Sequence, residues 1–154
     1  MTTAIAAAVP VRRTTGALGW AIFLLAAAGL VLSALSLVAH YRTDDTAYCD
    51  VSETFNCDLV NRSIYSEIGP VPVAGIGVVG YALLMVLSRL AANRRLAVIM
   101  LLGALGGLAF ALYLTYIEAY VLFAWCILCL GSQAAIALIT ILAAWHAKRV
   151  WSVG

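Results

Sequence analysis

Four apolar runs, near residues 17–39, 71–90, 96–116 and 119–145, constrain this chain more than any other feature. Each reaches the about 20 residues that cross a hydrocarbon core. A single backbone segment in lipid satisfies its own polar groups only as a helix, so the runs are read as helices and not strands. The composition agrees: of 154 residues 65% are hydrophobic and only 10% charged. A soluble domain of this length has too little interior to hide such a share. The expected fold is an all-α membrane protein, a four-transmembrane-helix bundle forming a single integral membrane domain over 1–154. Arg12 and Arg13 precede the first run as in a signal peptide, but that run exceeds the roughly 7 to 15 residues of a signal core and is kept as a membrane helix.

The basic residues orient the bundle. Arg12 and Arg13 precede the first helix, Arg89, Arg94 and Arg95 join the second and third, and Lys148 and Arg149 follow the fourth. On the other side stand Arg42 and Arg62 with all seven acids: Asp44, Asp45, Asp50, Glu53, Asp58, Glu67 and Glu118. The positive-inside rule therefore puts both termini in the cytoplasm and the loop 40–70 outside. No basic cluster interleaved with aromatics suggests nucleic acid, so the partner implied at this level is the lipid bilayer.

The outer loop carries Phe55, Leu59, Val60, Ile64, Tyr65 and Ile68 at helical spacing among polar residues. That pattern predicts a short amphipathic surface helix, stopped by Gly69 and Pro70 and roofing a pocket that opens from the bilayer. The loop is expected to be the most mobile ordered part of the chain.

The four cysteines fall into two pairs. Cys49 and Cys57 lie in the charged loop, whereas Cys126 and Cys129 form Cys-Ile-Leu-Cys in the last apolar run. At i and i+3 the latter share one helical face. With the fourth helix starting near Ala119, Cys126 lies on the order of 10 Å below its outer end, at 1.5 Å per residue. Near a helix N-terminus the first thiol of such a pair tends to be acidified, which favours the attacking thiolate. One pair in water and one in lipid is the layout of a relay between a soluble dithiol and a lipid-soluble oxidant. Zinc needs two further ligands, and His40 and His146 lie at helix ends away from the pair, so no metal is expected. Structural cysteines are the remaining alternative, since cysteine is also an ordinary small core residue.

Other patterns are read as packing. Gly75-Ile76-Gly77-Val78-Val79-Gly80 matches a dinucleotide fingerprint, yet no strand precedes it and close helix approach explains it better. Gly103 and Gly107 form a small-residue step on the third helix. Trp20 and Trp145 at the inner face, with Tyr113, Tyr116, Tyr120 and Trp125 at the outer, fit interfacial belts, while Tyr116 and Trp125 are also candidates for lining the pocket. Glu118 is read as a solvated turn carboxylate, with a proton-accepting role near the reduced form of a lipid-soluble oxidant as the alternative.

Across roughly residues 24–144 the chain resembles the vitamin K epoxide reductase family of membrane thiol oxidoreductases. The marks are Cys49-Asp50 with seven residues between Cys49 and Cys57, Ser63, Gly80-Tyr81, and Trp125-Cys126-Ile127-Leu128-Cys129. The Dsb-type quinone reductases carry Cys-x-x-Cys in the first outer loop and match less well. The resemblance implies that Cys49 and Cys57 shuttle electrons from a thioredoxin-like periplasmic thiol oxidase. Cys49 exchanges with the partner, and Cys57 passes electrons to Cys126 through a transient disulfide. Cys129 stands next to the quinone, and Ser63 is the loop hydroxyl near both.

The vertebrate branch binds quinone with an Asn that falls near Ile76 here and a Tyr that is Gln133 here, which argues against vitamin K epoxide as substrate. The expected quinone-binding set is Ser63, Ile76, Tyr116, Trp125, Cys129 and Gln133. The resemblance implies a bacterial plasma membrane protein using ubiquinone, menaquinone or vitamin K as acceptor and supporting disulfide bond formation. Many bacterial relatives carry a fused thioredoxin-like domain; this chain ends at Gly154, so a separate partner is expected. The alternative is a small transporter or membrane assembly protein whose cysteines staple the loop. Transporters usually hold ionisable groups at the midplane, and these helices have almost none.

Overall fold

The computed structural model describes residues 16–42, 52, 54–91 and 93–152. Within them, four helices are long and apolar enough to cross a membrane: α1 (Ala17–Tyr41), α3 (Val73–Leu90), α4 (Arg94–Ile117) and α5 (Ile127–Ser152). The protein is a multi-pass helical bundle. Between α1 and α3 the chain forms the short helix α2 (Cys57–Asn61), a 3₁₀ turn (Ile64–Ser66) and a two-residue hairpin of β1 (Glu67–Ile68) and β2 (Val71–Pro72).

Helix α1 packs chiefly on α3 and α5, and α4 on α5 and less extensively on α3. The core is filled by Ile22, Ala26, Tyr81, Leu84, Met100 and Ile139, among others. Leu24, Val31, Leu102 and Ile141 point outward and are more than half exposed. A helix apolar on both its packed and its outer face is suited to lipid.

Small residues allow the closest approaches. A Cβ on Gly29 of α1 would stand 2.2 Å from the Tyr81 ring, and one on Gly77 of α3 would stand 2.7 Å from the Ser33 hydroxyl. Gly107 faces Ile136 across the α4–α5 contact. The glycine-rich stretch of α3 is thus explained by helix packing.

At the end of the bundle remote from α2, three guanidinium groups lie over indole rings. Arg89 is 4.1 Å from the Trp20 centroid, Arg94 4.4 Å from Trp151, and Arg149 4.8 Å from Trp145. The indole rings and the basic residues at this end therefore form one layer.

Two expectations need correction. The outer-loop helix is only five residues long. It begins at Asn56, whose side chain accepts the Leu59 amide at 2.7 Å, a regular N-cap. It ends at Arg62, after which the apolar spacing continues through the 3₁₀ turn and hairpin, leaving Ile64 84% exposed. Gly69, in the left-handed region at φ 63°, makes the hairpin turn with Pro70.

The fourth spanning helix starts at Ile127, not Ala119. Helix α4 instead runs on into a π-helical turn, Glu118–Leu122, and Phe123 at φ 51° breaks the chain before α5. Cys126 consequently sits at the helix start and not several residues inside it. Cys49 and the segment 43–51, where loop mobility is expected, lie outside the described residues.

Candidate functional site

The outer segment is stitched to the start of α5 by backbone bonds. The Trp125 amide donates to the Thr54 carbonyl at 2.8 Å and the Asn56 amide to the Trp125 carbonyl at 3.1 Å, so Phe55 and Trp125 form a parallel bridge. Cys57 follows Phe55 by two positions and Cys126 follows Trp125 directly. Cys57 opens α2 and Cys126 precedes α5, and both are fully buried in one cluster with Val60, Ala124 and Leu128. Cys57 is disulfide-bonded, whereas Cys126 and Cys129 are free thiols.

Cys126 caps α5. Its carbonyl accepts the first helical bond, from the Leu130 amide at 2.9 Å, and its sulfur accepts the Cys129 amide at 3.3 Å. This is the N-cap arrangement with sulfur in place of the usual oxygen. The Asn61 side-chain amide approaches the same sulfur at 3.9 Å. The Cys126 thiol is held below the ordinary thiol range, chiefly because its sulfur accepts a hydrogen bond from the Cys129 thiol, with the Cys129 amide adding to the effect against the opposing pull of burial. Donors converging on sulfur at a helix start stabilise the thiolate, the form that attacks disulfides.

Behind the thiols lies a cavity of about 520 Å³ between α1, α3, α4 and α5, walled mainly by apolar side chains. Cavities of this size hold drug-sized ligands. Its polar and reactive wall includes Ser63, Glu118, Cys129, Ser132 and Gln133, with Ile76 on the α3 side. The Thr115 hydroxyl bonds both the Ala111 carbonyl and the Gln133 side-chain amide, which leaves the other end of that amide for a ligand. Tyr81, the tyrosine of Gly80-Tyr81, donates to the Ser132 carbonyl at 2.5 Å and so ties α3 to α5 at the cavity floor.

A family model described as Vitamin K epoxide reductase family matches residues 20–144. The chain belongs to the vitamin K epoxide reductase family. Membership makes it a membrane oxidoreductase of the thiol–disulfide class, in a family whose substrates include quinones. No curated protein is similar enough to count as a match.

In this member, Ser63, Ile76, Cys129 and Gln133 come together on the cavity wall. Tyr116 and Trp125, expected there, do not line it. Tyr116 is 59% exposed and its ring lies beside Tyr120, centroids 5.0 Å apart, while Trp125 serves the bridge to the outer segment. Among the described residues no group of three or more His, Cys, Asp or Glu could hold a metal.

Asn61 escapes the sequence reading, which takes Glu118 first as solvated, with a proton-accepting role only as the alternative. Asn61 follows Cys57 by four positions and so shares its face of α2, which was the available signal. Glu118 is not a solvated turn carboxylate: it is 3% exposed, lines the cavity, and its Oε2 accepts the Cys126 amide at 3.3 Å. A single acid between Ile117 and Ala119 in an apolar run was the signal.

Proposed function

We propose that the protein oxidises a thioredoxin-like protein outside a bacterial plasma membrane and passes the electrons through its two cysteine pairs to a membrane quinone, so supporting disulfide bond formation. The observation that carries this reading is the joint burial of Cys57 and Cys126 beneath the Phe55–Trp125 bridge, with Cys129 opening on the cavity behind them. The segregation of Arg89, Arg94, Arg95, Lys148 and Arg149 away from the cysteines supports an extracytoplasmic redox loop and cytoplasmic termini.

The route runs through three exchanges. A partner thiolate reduces the Cys49–Cys57 pair, and the partner leaves as a disulfide. The Cys57 thiolate then attacks Cys126 of an inner disulfide, releasing Cys129 as thiolate. Cys49 resolves the Cys57–Cys126 bond, which leaves the outer pair oxidised and the inner pair holding two electrons. A bonded Cys57 beside free Cys126 and Cys129 matches that last state. Re-forming the inner disulfide delivers two electrons to quinone, whose ring is bound beside Cys129 with Ser63 and Gln133 as partners for its carbonyl oxygens and Ile76 against its face. Direction follows from relative potentials, at about 1.4 kcal/mol per 30 mV for a two-electron couple.

The test is quinol formation by the purified protein, driven by a reduced thioredoxin-like protein, with Cys129→Ala as control. Turnover by the unaltered chain and none by the control is expected. Equal turnover overturns the reading. In Cys49→Ala the Cys57–Cys126 disulfide accumulates under oxidising conditions, and its absence removes the route.

A further inference from the structure

Glu118 is a buried carboxyl group that the electron route leaves without a task. Among the described residues the ion pairs join His40 to Glu67 and Arg62 to Asp58, and none involves Glu118. A carboxylate buried without a cation is unfavourable, and in membrane proteins such a group usually marks a proton path. It stands on a π-helical turn, a distortion often found at functional sites. The Glu118 carbonyl accepts the Ala124 amide at 3.2 Å, which fixes the turn against the start of α5. Its side chain accepts the Cys126 amide, lies beside the Cys129 thiol, and faces the cavity. The one carboxyl group thus touches both redox cysteines and the space behind them.

We infer that Glu118 is the proton carrier of the inner thiol pair, a catalytic residue that gives a proton to the quinone and recovers one when the pair is reduced again. The inference rests on the quinone-reducing role proposed above. Quinone needs two electrons and two protons to become quinol. A pair held as Cys126 thiolate and Cys129 thiol supplies both electrons but only one proton. In the balanced step the Cys126–Cys129 bond forms, the Cys129 S–H and the Glu118 O–H break, and the two protons become the quinol O–H groups. Glu118 is left as carboxylate, replacing the charge lost from Cys126. When the outer dithiol reduces the inner disulfide, two protons leave the outer pair. One returns to Cys129 and the other to Glu118, and Cys126 is again the thiolate. Each turnover closes with Glu118 protonated.

Redox-difference infrared spectroscopy tests this on the full chain in lipid, with the inner pair reduced by a small dithiol and reoxidised at an electrode. Oxidation should bleach a protonated-carboxyl band that Glu118→Gln lacks. Glu118→Gln should also slow quinol formation by about 100-fold or more, the usual scale for losing a general acid or base. Cys57–Cys126 trapping in the Cys49→Ala background should stay unchanged, and Glu118→Asp should restore part of the rate. No carboxyl band in the unaltered protein, or a band that persists in Glu118→Gln, overturns the inference. So does a Glu118→Gln rate within threefold of the unaltered one. If the unaltered protein forms no quinol at all, the proposed function fails, while the infrared arm still decides the role of Glu118.

Discussion

Asn61 and Cys126, 65 positions apart, meet at the base of the outer segment, the Asn61 side-chain nitrogen 3.9 Å from the cysteine sulfur. The contact joins the short outer helix to the start of the last spanning helix. It also sets a buried amide donor on the thiol that is best placed to act as a thiolate.

Asn61→Leu keeps the branched outline at a larger volume and removes the donor. Losing one hydrogen bond to a charged acceptor costs about 1.5 to 3 kcal/mol in a well-formed case, and less at the long distance here. A severalfold slower alkylation of Cys126 at fixed pH is expected, measured by mass spectrometry. An unchanged rate would mean that the Cys129 thiol and amide support the thiolate without Asn61.

The pH dependence of Cys126 follows from its lowered pKa. A thiol with a depressed pKa stays deprotonated to lower pH, so its alkylation persists below the usual thiol range near 8.5 and fades only as pH falls through the depressed value. The Cys129 thiol is the largest cause of that shift, so Cys129→Ala should move the inflection upward. A profile that stays in place would assign the effect to the backbone and Asn61 alone.

Gly29→Ala tests the close α1–α3 contact. The new methyl group would stand 2.2 Å from the Tyr81 ring, which is held by its bond to Ser132. Overpacking of this kind typically costs about 1 to 3 kcal/mol. A lower melting temperature in detergent is expected, and Gly106→Ala, with open space around it, should melt like the unaltered chain.

His40 ties the outer segment to α1: its Nδ1 lies 2.6 Å from the Asn61 carbonyl and its Nε2 3.0 Å from Glu67 Oε1. His40→Ala removes both links. The outer helix should then be held less firmly over Cys126, and the yield of the Cys57–Cys126 disulfide in the Cys49→Ala background should fall. Equal yields would show that the Phe55–Trp125 bridge holds the segment unaided.

Much of the architecture was legible in the chain because lipid crossing depends on run length and hydropathy, which are local. The first three spans lie within a few residues of their expected bounds. The fourth was misread because residues 119–125 are as apolar as the helix that follows. Periodicity carries no sign of the π turn or of Phe123 entering the left-handed region. That one break moved Cys126 from helix interior to helix cap.

Residue order by itself determined four membrane spans, a Cys-Ile-Leu-Cys pair on one helical face, a separate loop pair, and a bundle with its basic residues gathered at one end. Only the tertiary structure decided that Cys57 and Cys126 share one buried cluster, that Asn61 and Glu118 flank the thiols, and that Cys129 opens on a cavity. The reason is physical. Hydropathy and spacing report how a segment meets lipid or its own helix, whereas these contacts join residues on different elements and exist only once close helix packing and the break at Phe123 have set one element against another.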